Sequence, residues 1–178
     1  MLRALLAAAA VLAAVPAGAE QGGNPMAFSM HSGAFKPGGT IPKEFTADGR
    51  DVSPALSWEN PPAGSQSFAL VCDDPDAPVG TWVHWVLWNI PATAKGLPQG
   101  VQTVQVLPDG SAQGRNDFGR IGYGGPSPPR GKPHRYFFRL YALSAKLSLP
   151  AGSTRKQLDA AMAGRILASV ELIGTYGR

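Results

Sequence analysis

His134-Arg-Tyr-Phe-Phe-Arg-Leu-Tyr141 alternates in a way that decides the fold class. Successive side chains on a strand point to opposite faces, so His134, Tyr136, Phe138 and Leu140 share one face and Arg135, Phe137, Arg139 and Tyr141 the other. With the first set turned inward, Phe138 and Leu140 anchor a core while His134 and Tyr136 stand at the open end of the strand.

Working outward, further strand-length apolar runs lie at Phe28 to Met30, Ala55 to Trp58, Phe68 to Cys72, Trp82 to Ile90 and Ala168 to Tyr176, with Arg135 to Leu143 as the run just quoted. Each is bounded by Gly, Pro or Asp. By the same alternation His84 shares a face with Val86 and Trp88. One helix is expected, opened by a capping box at Thr154 and Gln157, with Leu158, Ala161, Met162 and Ile166 recurring on one face. The 22 Gly and 17 Pro fit many short strands and irregular loops better than a helical bundle. These features predict a mainly β chain, an antiparallel β-sandwich with one or two short helices near the C terminus.

The first nineteen residues are a separate element. Arg3 precedes an apolar run from Ala4 to Val15, and Pro16-Ala-Gly-Ala19 ends it with a small-x-small pattern. This predicts a secretory signal peptide over 1–19, cleaved after Ala19, and a periplasmic or secreted mature chain. The run falls short of the roughly 20 apolar residues of a spanning helix. Residues 20–26, including Gly22-Gly-Asn-Pro25, read as a flexible tether, and 27–178 as one domain. Cys72, the one cysteine, has no partner for an internal disulfide and sits in an expected buried strand, where it reads as an inert core thiol.

Formal charge is +4, and losing Arg3 leaves +3 on the mature part. That lacks the basic footprint of a nucleic-acid binder. Between Gly110 and Arg139, however, Arg115, Arg120, Arg130, Lys132, Arg135 and Arg139 face the single acid Asp117, and these can present one positive field or remain separate solvated charges.

Two segments carry the chemistry. Asp74-Pro-Asp-Ala-Pro78 runs on to Trp82, His84 and Trp85; Tyr123-Gly-Gly-Pro126-Ser-Pro-Pro129 runs on to His134-Arg-Tyr136. The loop between Pro108 and Pro133 is long enough to suggest a function. Its prolines fix φ and its glycines allow close approach, so it can aim a backbone N–H at a ligand oxygen. Pro128-Pro129 is the candidate for a cis bond. A carboxylate that accepts a hydrogen bond from an imidazole N–H holds the ring in one orientation and stabilises its charged form, leaving the other nitrogen for an anion. Trp82, Trp85 and Trp88 read as core or sheet-surface residues rather than a base-stacking platform.

The whole pattern resembles the phosphatidylethanolamine-binding protein family, in its bacterial Raf-kinase-inhibitor-like branch. The resemblance rests on Ile41-Pro42, Phe45-Thr-Ala-Asp-Gly49, Asp51-Val-Ser-Pro-Ala-Leu-Ser-Trp58, Asp74-Pro-Asp-Ala-Pro78, His84-Trp85, Tyr123-Gly-Gly-Pro-Ser-Pro-Pro129 and His134 to Tyr141, in order along nearly the whole mature chain. It implies a central antiparallel sheet flanked by a second, and a small cavity for phosphate-like anions or phospholipid head groups. By matched positions it implies Asp74, Pro78, His84, Gly125, Pro126, His134 and Tyr136 as pocket residues, with Asp76 and Trp82 near them. No cofactor and no metal are expected, and Ala47, at a position where the family usually has a small or thiol side chain, carries no metal or redox role. The sequence runs to Arg178 directly after its last expected strand, without the extra helix that helps cover the pocket in animal members.

The function expected is a non-enzymatic binding protein for phosphate, phosphorylated amines or phospholipid head groups, with modulation of another protein implied by the kinase-inhibitor-like resemblance. The alternative is a hydrolase in which His84 or His134 is a general base acting on an ester or phosphoester. Against it, Gly125-Pro-Ser127-Pro-Pro lacks the final Gly of a nucleophile elbow. A metal held by Asp74, Asp76, His84 and His134 has suitable ligand types but competes with the nearby arginines. The identity of a protein partner and a homodimer stay open.

Overall fold

The computed structural model describes residues 27–178; the leader, its cleavage after Ala19 and the tether over 20–26 lie outside the described residues. Eight strands and one α-helix follow in the order β1 (Ser29–Ser32), β2 (Leu56–Glu59), β3 (Ser67–Asp74), β4 (Trp82–Pro91), β5 (Gly96–Leu97), β6 (Ala112–Gln113), β7 (His134–Leu143), α1 (Arg155–Met162) and β8 (Ile166–Tyr176). A 3-10 turn covers Lys43–Phe45. The strands form a five-stranded sheet in the order β6-β4-β3-β7-β8 and a three-stranded sheet β1-β2-β5, and every pairing between them is antiparallel. The mainly antiparallel β fold expected from the sequence is the fold observed. Each expected run is a strand, with ends shifted by one or two residues, and the two-residue strands β5 and β6 carry no run long enough to announce them.

The large sheet is buried on both faces, so its central strand β3 is buried at all eight positions. Phe68, Leu70 and Cys72 of β3 pack with Trp58 and Leu56 of the small sheet and with Phe138 and Leu140 of β7. On the opposite face Ala69 and Val71 pack with Val86, Trp88, Leu158 and Met162 under α1. Trp58, Trp85 and Trp88 are all core residues, at 1% exposure or less, and burying a large apolar side chain contributes about 1.5–3 kcal/mol each.

α1 begins as its sequence requires. The Gln157 backbone N–H donates to Thr154 Oγ1, while the Thr154 N–H donates to Gln157 Oε1. Leu158 and Met162 are its buried residues. It ends sooner than expected, because Ala163 leaves the helical region and Gly164 takes φ +71°. Ile166, assigned from the sequence to the helix face, is instead the first residue of β8. The Pro128-Pro129 bond is also a correction: no cis peptide occurs among the described residues, in keeping with the trans preference of roughly 0.5–1 kcal/mol at X–Pro.

β4 departs most usefully from simple alternation. Cys72 pairs with Trp85 but Asp73 pairs with Val83, leaving His84 as an extra residue in a β-bulge. A bulge rotates the side chains that follow it. His84 therefore shares no face with Val86 and Trp88, which lie under α1; its ring instead meets Tyr136 of the inter-sheet core. A second shift, between Phe68/Ile90 and Leu70/Leu87, is accommodated by Asn89 at φ 56°, a left-handed conformation that Asn tolerates. The Asn89 side chain donates to Leu147 O and accepts from Leu147 N at 3.0 and 2.7 Å.

Candidate functional site

The bulge in β4 and the start of β7 bring their histidines to one end of the large sheet. There a cavity of 210 Å³ is lined by Asp74, Pro78, Trp82, His84, His134 and Tyr136. Six of the nine residues named from the sequence thus come together.

Both imidazoles are oriented through Nδ1. His134 Nδ1 lies 2.8 Å from Asp74 Oδ2, so β7 is tied to the end of β3. His84 Nδ1 lies 2.6 Å from the carbonyl oxygen of Gly124, and the Gly124 N–H returns a bond to His84 O at 2.9 Å. One ring is therefore held by a carboxylate and the other by a backbone carbonyl, where carboxylates were expected for both. Burial pushes the His84 pKa below its ordinary value, the Gly124 carbonyl and the neighbouring acids opposing it only in part. His84 also sits edge to face with Phe118 and Tyr136, each at 5.2 Å between ring centroids. No hydrogen bond among the described residues uses Nε2 of either histidine. The Tyr136 hydroxyl is buried without a hydrogen-bond partner, and burial pushes its pKa well up.

Asp76, Gly125 and Pro126 do not line the cavity. The Asp76 carboxylate faces Arg135, which forks onto it through Nε and Nη2 at 2.9 and 2.7 Å and holds it well below the usual carboxylate range. The Asp76 N–H donates to Asp74 Oδ1 at 2.8 Å, an Asx turn that fixes Asp74. Gly125 does not offer its N–H to a ligand: it donates to Asp51 Oδ1 at 2.6 Å. Pro126 O accepts from the Ala47 N–H at 3.0 Å. These three brace the wall from behind.

The cavity also takes residues that were not named as pocket residues from the sequence, among them Val79, Phe118, Ser127 and Pro129. Phe118 is positioned by Asn116, whose Oδ1 accepts from the N–H groups of Phe118 and Arg120 while Nδ2 donates to Gly122 O. Asn116-Asp-Phe-Gly119 has the composition of such a turn, and that was the available signal. Nor do the clustered cations form one field. Arg120 faces Asp51, Arg135 faces Asp76 and Arg139 faces Asp73, whereas Arg130 joins Lys43 and Arg178 around an adjoining depression. Among the described residues no three His, Cys, Asp or Glu side chains are grouped to hold a metal ion.

Residues 31–177 match the family model described as phosphatidylethanolamine-binding protein. The chain is 50% identical over 151 residues to a UPF0098 protein of Aquifex aeolicus, covering 84% of this chain and 88% of that one. It is 49% identical over 150 residues to a UPF0098 protein of Methanothermobacter thermautotrophicus, covering 84% and 99%. Among solved structures it resembles YbcL of Escherichia coli, described as a member of the mammalian PEBP family, with TM-score 0.79 and 35% identity over 85% of this chain and 98% of the other. CT736 of Chlamydia trachomatis, a phosphatidylethanolamine-binding protein homologue, gives TM-score 0.78 and 39% identity with the same coverage.

Proposed function

Because the chain belongs to the phosphatidylethanolamine-binding protein family, we propose that it is a binding protein whose cavity takes a small oxyanion: phosphate, a phosphorylated amine or a phospholipid head group. The observation that carries this reading is the paired arrangement of His84 and His134. Each ring commits Nδ1 to a fixed acceptor, leaving Nε2 for a ligand beside the unpartnered Tyr136 hydroxyl. Hydrogen bonds involving charged groups contribute roughly 1.5–3 kcal/mol each, so two or three of them support millimolar to micromolar affinity.

Binding is preferred to hydrolysis for a specific reason. Ser127, the serine in the lining, accepts a hydrogen bond from Arg178 Nη2 at 2.9 Å rather than meeting an imidazole, so among the described residues no serine nucleophile and base stand paired there. Titration calorimetry with inorganic phosphate tests the reading. The expected result is saturable binding by the wild type, weakened at least tenfold in His134→Ala and in Asp74→Asn; undiminished binding by both variants would remove the site.

We infer also, from the pattern of residues 1–19, that the chain is exported and its leader removed. Mass analysis of the protein recovered from cells and medium is expected to give an N terminus at Glu20. An intact Met1 on a cytoplasmic product would overturn this.

A further inference from the structure

The proposed oxyanion site has a polarity that narrows its ligand further. The Gly124 carbonyl can only accept, so the proton of the 2.6 Å contact belongs to His84 Nδ1. The neutral ring then presents a lone pair, not a donor, at Nε2. This tautomer is locked, because Gly124 is itself anchored by its N–H to His84 O. A Cβ at Gly124 would stand 2.7 Å from the Phe118 ring, so the backbone and that ring are in close contact. With His84 only 2% exposed and enclosed by Phe118 and Tyr136, a second proton on the ring lacks solvation. The remaining anionic group points the same way. Asp74 has both carboxylate oxygens engaged, one by the Asp76 N–H and one by His134, and its negative charge stays in the wall.

A fully deprotonated oxyanion entering this cavity meets a lone pair on one side and a carboxylate on another. An oxyanion that carries its own proton turns the first of these contacts into a hydrogen bond. Resting on the reading given above, we propose that the pocket recognises an acidic O–H on its ligand: hydrogenphosphate, or a phosphomonoester in its monoanionic form, in preference to sulfate or to a phosphodiester such as an intact phospholipid head group. His84 Nε2 accepts that proton's hydrogen bond, and the unpartnered Tyr136 hydroxyl donates to another of the ligand's oxygens.

The test is titration calorimetry of the full chain at about pH 7, where histidine's unperturbed midpoint has been passed, with inorganic phosphate, sulfate and dimethyl phosphate. Phosphate keeps at least one O–H at this pH, whereas sulfate has the same tetrahedral shape and no donor, and dimethyl phosphate is a diester with none. Loss of a matched hydrogen bond that leaves a buried acceptor unpaired corresponds to roughly 10- to 100-fold in affinity. Phosphate is expected to bind that much more tightly than either competitor. In His84→Gln, whose amide offers a donor as well as an acceptor, the phosphate-to-sulfate ratio is expected to fall toward one. Equal affinities in the wild type, or a ratio unchanged in His84→Gln, overturn the proton requirement and leave the oxyanion reading standing. Absence of binding by all three probes overturns both.

Discussion

Arg178 Nη2 donates to Ser127 Oγ at 2.9 Å, tying the end of the chain to the proline-rich rim of the cavity. The same guanidinium forks onto Asp48 through Nε and Nη2 at 2.8 and 2.7 Å, and Tyr176 Oη donates to that carboxylate at 2.8 Å. The rim, the loop after the 3-10 turn and the last strand thus meet at one arginine.

This cluster makes part of the stability pH-dependent. The hydrogen bond from Arg178, then that from Tyr176, lowers the Asp48 pKa from 3.8 to about 2. A carboxyl depressed on folding stabilises above its unfolded pKa and ceases to do so as pH falls through the folded one. Arg178→Ala is therefore expected to melt below the wild type at pH 5 to 7, with the gap closing between about pH 4 and 2. Thermal melts across that range check it; a gap that widens on acidification contradicts the assignment.

His84 loses stability in the same direction of pH, through a different group and a different cause. Its folded pKa is depressed by burial, so protonation favours the unfolded chain. Stability is full above the unfolded value of about 6.5 and declines as pH falls from there toward the folded value. In an NMR titration the His84 ring is expected to titrate below 6.5, and a midpoint above 6.5 in the ligand-free protein would contradict the burial argument. Saturation with phosphate is not expected to abolish this ordering, since the bound O–H satisfies the ring without charging it.

How much of this was legible in the residues depends on whether a periodicity survived. β7 keeps strict alternation, so the inward set of His134, Tyr136, Phe138 and Leu140 was readable and all four are buried. β4 contains two irregularities, and a bulge leaves no mark on an apolar run such as Trp82 to Ile90; the face of His84 was misread for that reason. The Asp74-Pro-Asp76 turn was legible as a turn, but the division of labour between its two carboxylates was not. Asp76 is claimed by Arg135 from a strand 59 residues away, and no local rule foretells that.

Gly125 was expected to serve a ligand and is instead a point of close approach. A Cβ there would stand 2.6 Å from Phe45 O and 2.8 Å from Thr46 Cα and Asp51 Oδ1. Backbone cannot yield as a side-chain tip can, so Gly125→Ala is expected to cost about 1–3 kcal/mol by overpacking. Chemical denaturation measures this; a loss under about 0.5 kcal/mol, within the range of surface changes, would show that the wall gives way freely.

Asp73 and Asp74 are neighbours in β3 with opposite duties, and this separates stability from binding. Asp74 lines the cavity, whereas Asp73, 3% exposed, accepts from Arg139 Nη1 and from Arg155 Nη1 on the face beneath α1. Removing one member of a buried pair typically costs about 3–5 kcal/mol. Here both arginines are about a quarter exposed and each keeps a second acid, Glu171 for Arg139 and Asp159 for Arg155, so Asp73→Ala is expected to cost about 2–3 kcal/mol after that discount. Phosphate affinity of the folded Asp73→Ala protein should stay within threefold of wild type, whereas Asp74→Asn should lose it with a smaller change in melting. Denaturation and calorimetry on the two variants side by side test this, and a joint loss of affinity in both would mean that the two faces of the sheet are coupled.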